Sequence, residues 1–214
     1  MAFTKVDELI RRDHNALNVD DKCIFLREYR ARGGYEGETN KLIWNLKKKP
    51  SERDTKKGYH YKGIAIQQAA AELAANLNPE WLDQATLVPV PGSKALGHPD
   101  YDDRMVQICR NIRPGLDVRS LVVQTTSTEA SHAAGDGHRM TVEELLRVYQ
   151  INENLANPPP VNIGIFDDVL TVGRHYRAVH TIISQRFPGV PITGIFIART
   201  IHPDPFADFQ FDSA

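Results

Sequence analysis

The segment Val161-Asn-Ile-Gly-Ile-Phe-Asp-Asp-Val-Leu-Thr-Val-Gly-Arg-His175 constrains the fold more than any other stretch of the chain. Its apolar run at 162–166 lacks polar alternation, so it reads as a strand buried on both faces. Asp167 and Asp168 close that strand, a short loop follows, and Tyr176, Val179, Ile183 and Phe187 then recur at helical spacing. Short apolar runs at 23–26, 87–90, 121–123 and 192–198 alternate with helical patterns in the same way. Together they predict an α/β fold, a mostly parallel sheet flanked by helices. Thr4 is expected to open a helix carrying Val6, Leu9, Ile10 and Leu17, and Thr39 to cap one carrying Leu42, Ile43 and Leu46. An alanine-rich helix is expected over 61–77, with Ile64, Gln68, Ala71 and Ala75 on its packed face, and another helix presents Met105, Val106, Cys109 and Ile112. The 214 residues suit one generous domain. Residues 1–60 read as a small N-terminal extension on one sheet edge, 61–202 as the core and 203–214 as a tail.

Composition narrows the function. Lys plus Arg number 26 against 27 Asp plus Glu, so no global basic field draws the chain to nucleic acid or membrane. No apolar run nears the ~18 residues of a membrane span. Asp7, Glu8, Arg11, Arg12 and Asp13 stand where a secretory signal would be apolar, and the expectation is a cytoplasmic protein. Cys23 and Cys109 are too few for a thiolate zinc cluster or a disulfide scaffold. The basic stretch at 47–57 reads as a solvated loop or as a phosphate-attracting rim. The eight histidines include no zinc-protease pair, and there is neither a P-loop nor a serine-hydrolase elbow. Trp44 and Trp81 read as core or interface residues.

In an open parallel sheet, ligands bind beyond the carboxyl ends of the strands. Amides of residues 171–175, freed at a helix N-terminus, could wrap a phosphate, with Gly173 allowing close approach and Thr171 adding a hydroxyl. Asp167 and Asp168 would lie one sugar length away, placed to accept hydrogen bonds from ribose hydroxyls. The pair of features reads as a ribose 5-phosphate site. The turn Pro91, Gly92, Ser93, Lys94 offers a second anion site or is an ordinary strand-to-helix turn. The long polar stretch 124–140 has no apolar periodicity, which in a compact domain points to a functional loop.

The chain resembles the type I phosphoribosyltransferases, whose signature is an apolar strand followed by Asp-Asp-x-x-Thr-Thr-Gly-x-Thr. It matches at Asp167, Asp168, Thr171 and Gly173 and departs at Val172 and His175, where Arg174 with His175 would substitute by charge. Over residues 23–201 the order is similar to the competence protein F branch. Tyr29 precedes Leu42-Ile-Trp-Asn-Leu-Lys47, then come Val88-Pro-Val-Pro91, Thr128 and Arg139, and Ala198-Arg-Thr200. The cysteine-rich zinc knuckle of many members has no counterpart, and Asp100-Tyr-Asp-Asp103 replaces an Arg-Gly-Phe-Asn stretch.

The resemblance implies a type I phosphoribosyltransferase-like fold and Mg²⁺-dependent binding of phosphoribosyl pyrophosphate, with transfer of its ribosyl phosphate to an acceptor. Asp167, Asp168 and Arg139 would be catalytic, and Thr171, Val172, Gly173, Arg174 and His175 would hold the 5-phosphate. Pro91, Gly92, Ser93 and Lys94 would meet pyrophosphate, and Thr128 and Ser131 would belong to a loop that closes over the donor. Mg²⁺ would reach Asp167 and Asp168 through water or the ribose hydroxyls. The partners implied are phosphoribosyl pyrophosphate or a nucleotide, and a second copy of the chain in a homodimer, with no direct sign of nucleic acid and none of a membrane. The rival readings are a non-catalytic sensor or scaffold on the same fold, and a metal hydrolase drawing further carboxylates from Asp100, Asp102 and Asp103.

Overall fold

Strand and helix alternate along most of residues 1–128 and 140–202, which the computed structural model describes. The first half runs β1 (Thr4–Lys5), α1 (Glu8–Arg11), β2 (Lys22–Arg30), α2 (Glu38–Leu46), α3 (Tyr61–Asn76), α4 (Pro79–Gln84), β3 (Ala85–Pro89) and α5 (Arg104–Ile112). The second runs β4 (Asp117–Val118), β5 (Val122–Gln124), α6 (Val142–Val148), β6 (Tyr149–Ile151), β7 (Asn162–Leu170), α7 (Arg174–Arg186) and β8 (Ile192–Ile201). Six strands form one sheet in the order β1-β2-β8-β7-β3-β4. All neighbours in it are parallel except β1, which pairs antiparallel with β2 at one edge. The architecture is α/β with a mixed, mostly parallel sheet.

Two apolar layers enclose this sheet. On one face α2, α3, α4 and α5 contribute Leu42, Leu46, Ala69, Leu73, Leu82 and Ile108. On the other, α7 packs with α6 and the β5–β6 ribbon through Val179, Ile183, Leu145, Val122 and Tyr149. Burial on both sides is why the strands at 162–166 and 192–198 carry unbroken apolar runs. β2 lies inside the sheet, registered with β8 from Lys22 to Arg30, so the sheet draws on both sides of residue 60.

Several local expectations are corrected. Thr4 lies in β1, and Asp7 caps the single turn of α1 by accepting a hydrogen bond from Ile10 N at 2.9 Å. Gly37 precedes α2, so Thr39 is inside the helix rather than its cap. On α3 the buried residues are Lys62, Ala65, Ile66, Ala69, Ala70 and Leu73, while Ile64 is 55% exposed. Alanine at nearly every turn had left the helix without a clear apolar stripe. β5, expected in the parallel sheet, pairs antiparallel with β6 in a separate ribbon on the α7 side. Trp81 packs on the core, but Trp44 is 52% exposed. Both cysteines are buried and unbridged. Among the described residues no helix is long and apolar enough to cross a membrane. Ser131 and Arg139, and the tail 203–214, lie outside the described residues.

Candidate functional site

The connection leaving β3 runs through α5 to β4, whereas the one leaving β7 runs through α7 to β8 on the opposite side. Adjacent parallel strands whose exits diverge open a crevice at their carboxyl ends. The structure has a small crevice at the carboxyl end of β7, on its β8 side, walled by Asp167, Thr171, Gly173, Arg174 and His175 with Phe196 of β8. Pro91, Gly92, Ser93 and Lys94 leave the neighbouring strand and are not among its walls.

The floor of the crevice is the turn from β7 into α7. Gly173 caps α7 with φ 91°, a left-handed conformation that glycine adopts without penalty. The first amides of α7, from Arg174 onward, have no acceptor within the helix, and its dipole favours an anion. The N-terminal segment braces this turn from behind. His14 donates from Nδ1 to the Thr171 carbonyl, and Ala16 N donates to the Val172 carbonyl at 2.9 Å. Arg177 donates from Nε to the Ala16 carbonyl at 3.1 Å and pairs with Asp21. A Cβ on Gly173 would meet Leu17 Cδ2 at 3.0 Å. The space over that Cα therefore belongs to Leu17 and not to an approaching phosphate, which corrects the reason for the glycine. His14 is fully buried, and burial lowers its pKa.

The two carboxylates face different surroundings. Asp168, 4% exposed, points to the α2, α3 and α5 side. Its Oδ2 accepts hydrogen bonds from Arg104 Nη2 at 2.7 Å and Nε at 3.1 Å, and its Oδ1 lies 3.2 Å from Lys47 Nζ. Arg104 also bonds Asp102, which in turn takes Lys62 Nζ at 2.7 Å. Lys62 donates as well to the Leu46 and Lys48 carbonyls at the end of α2. Burial works against the charge of Arg104, and Asp168 and Asp102 outweigh it. Burial lowers the pKa of Lys62 against the pull of Asp102.

Asp167 lines the crevice instead, and its Oδ1 accepts the Asp168 amide at 2.8 Å. Burial, and then the neighbouring Asp168 charge, push its pKa up to about 7.

His175, the second residue of α7, shares a 2.7 Å hydrogen bond between its Nδ1 and the phenol of Tyr149. Burial first, and then Lys47, lower its pKa to about 4, so the ring is neutral at pH 7. It cannot supply the charge expected of it there.

The turn at 91–94 is tied to the exit of β5. The Ser93 carbonyl accepts from Gln124 Nε2 at 2.7 Å and from Thr128 N at 2.8 Å, and Lys94 Nζ donates to the Thr128 carbonyl at 2.8 Å. Thr128 and the 91–94 turn are thus brought together. Lys47, Arg104, Tyr149, His14 and Leu17 were not foreseen as site residues. For Lys47 the signal was its place in the basic stretch; the others carry none in their local sequence.

The donor set does not fit a resident Mg²⁺. Among the described residues no group of three His, Cys, Asp or Glu converges, and Asp168 is engaged by Lys47 and Arg104. The same geometry disfavours a metal hydrolase, because Arg104 lies between Asp102 and Asp168. No family model matches the chain, and no curated protein matches it.

Proposed function

We propose that the crevice binds the 5-phosphate and ribose of phosphoribosyl pyrophosphate or a related nucleotide, on a type I phosphoribosyltransferase-like fold. One observation carries the reading: Asp167 and the turn from Thr171 to His175, at the start of α7, wall one crevice at the carboxyl end of β7. The phosphate sits against the first amides of α7, and Asp167 accepts from a ribose hydroxyl. Mg²⁺, in this reading, arrives chelated by the diphosphate rather than held by the chain. The cytoplasm, where such donors are made, is the matching compartment. Ribosyl transfer needs the pyrophosphate anchored too, and Lys94 at the neighbouring strand end is the cation suited to that.

A non-catalytic role on the same fold is the second reading. It is favoured by the pairing of Asp168 with Arg104 and Lys47, which leaves one carboxylate at the crevice. Calorimetric titration with phosphoribosyl pyrophosphate and Mg²⁺ tests the first step, and pyrophosphate release with a panel of nucleobases tests the second. Binding with release supports the enzyme; binding without release for any acceptor supports the sensor. Absence of binding removes both.

A further inference from the structure

Tyr149 is 2% exposed, and its oxygen has a single hydrogen-bond partner among the described residues, His175 Nδ1 at 2.7 Å. Two arrangements are open to such a pair. If Nδ1–H donated to the phenol oxygen, the phenol proton would be buried with no acceptor, which costs about 1–3 kcal/mol. If the phenol donates to a bare Nδ1, both groups are satisfied and the ring proton lies on Nε2. His175 is half-buried and lines the crevice, so Nε2 is the polar atom of the ring left for a ligand.

We propose that Tyr149 is a positioning residue: its O–H fixes His175 in the Nε2–H tautomer, so the turn offers a phosphate monoester a neutral donor instead of an imidazolium. The inference rests on the proposed function for the identity of the ligand, but the tautomer can be read without any ligand. It also accounts for a departure in the sequence. His175 stands where the resembled signature has a hydroxyl, and a neutral N–H is the nearer chemical equivalent of that hydroxyl. A hydrogen bond donated to Nδ1 stabilises the uncharged ring. The charged groups that act on the ring are Lys47 from the end of α2, Asp168 from β7 and Arg174 from α7, and Asp167 shares the crevice. With two cations among them, release of Nδ1 from Tyr149 changes the tautomer balance before it changes the charge.

The test is nitrogen NMR of the His175 imidazole in the ligand-free full chain, for wild type and Tyr149→Phe, followed by calorimetry with ribose 5-phosphate. Wild type is expected to show bare Nδ1 and protonated Nε2, unchanged from pH 8 to pH 5.5. In Tyr149→Phe the ring should exchange between the two neutral tautomers over that range, and ribose 5-phosphate should bind about fivefold more weakly, the loss of one well-aimed hydrogen bond. A purely structural role for Tyr149 would leave the ring spectrum of any folded variant unchanged. A protonated Nδ1 in wild type overturns the proposal even if the variant does not fold, and an unchanged tautomer in the folded variant overturns it as well. Failure of wild type to bind ribose 5-phosphate, with the tautomer as expected, overturns instead the function on which the ligand assignment rests.

Discussion

Asp167 and Asp168 follow one another on a single strand, yet one opens onto the crevice under α7 while the other is clamped by Arg104 and Lys47 on the far face of the sheet. Side chains of successive strand residues leave on opposite sides, so an acidic pair at a strand end is divided between two layers by backbone geometry alone. On the α5 side three cations, Lys47, Arg104 and Lys62, neutralise the two carboxylates of Asp102 and Asp168. On the α7 side no cation among the described residues forms an ion pair with Asp167, and its pKa rises. The first layer is a closed ion-pair network, and the second is the layer to which the proposed function assigns the ligand.

Removing Arg104 should break the comparison most severely. Arg104→Ala leaves Asp102 and Asp168 buried without their shared partner, and breaking a buried pair in this way costs about 3–5 kcal/mol. Urea unfolding should show a loss of that size; a loss near zero would mean that the network is solvated and the contrast between the carboxylates is false. Gly173→Val comes next, at about 1–3 kcal/mol, because a β-branched residue is strained at φ 91° and its Cβ meets Leu17. Leu17→Ala in the same background should recover the packing part of that loss and leave the backbone part.

The smallest effect has the opposite sign. A carboxyl whose folded pKa is raised lends stability at low pH and loses it as pH rises through the folded value. Asp167→Asn should therefore stabilise the chain at pH 8, by about 1–2 kcal/mol or 3–6 °C in Tm, with the gain gone near pH 4. His175 works the other way, since its lowered pKa withdraws stability as pH falls from about 6.5 toward about 4. A melting series of the variant against wild type separates the two. A gain that persisted at pH 4 would show that the Asp167 charge is not its source.

The legible parts of this molecule were those written in contiguous residues. β7, α7 and β8 follow from apolar runs and helical spacing, and the end of α3 from Asn78-Pro79. The strand, the turn at Gly173 and the helix were legible because they follow one another in the sequence and form one structural unit. What escaped is held by distant contacts. Lys62 looks like a surface residue in an alanine-rich helix, and only the end of α2 and Asp102, brought in by the fold, make it a buried one. His14 and Leu17 reach the Thr171 turn across some 150 residues of chain, with nothing local to announce it. Tyr149 sits in a three-residue strand whose pairing with β5, rather than with the sheet, brings it to His175.

The claim that joins these observations is that a ribose 5-phosphate group occupies the α7 side and leaves the ion-pair layer in place. Amide NMR of the full chain titrated with ribose 5-phosphate reads both layers at once. Saturating shifts at Asp167 and at Arg174, His175 and Tyr176, with Lys62 and Arg104 unmoved, are the predicted result. Shifts confined to the α5 side, or no saturable shift at the start of α7, would contradict it.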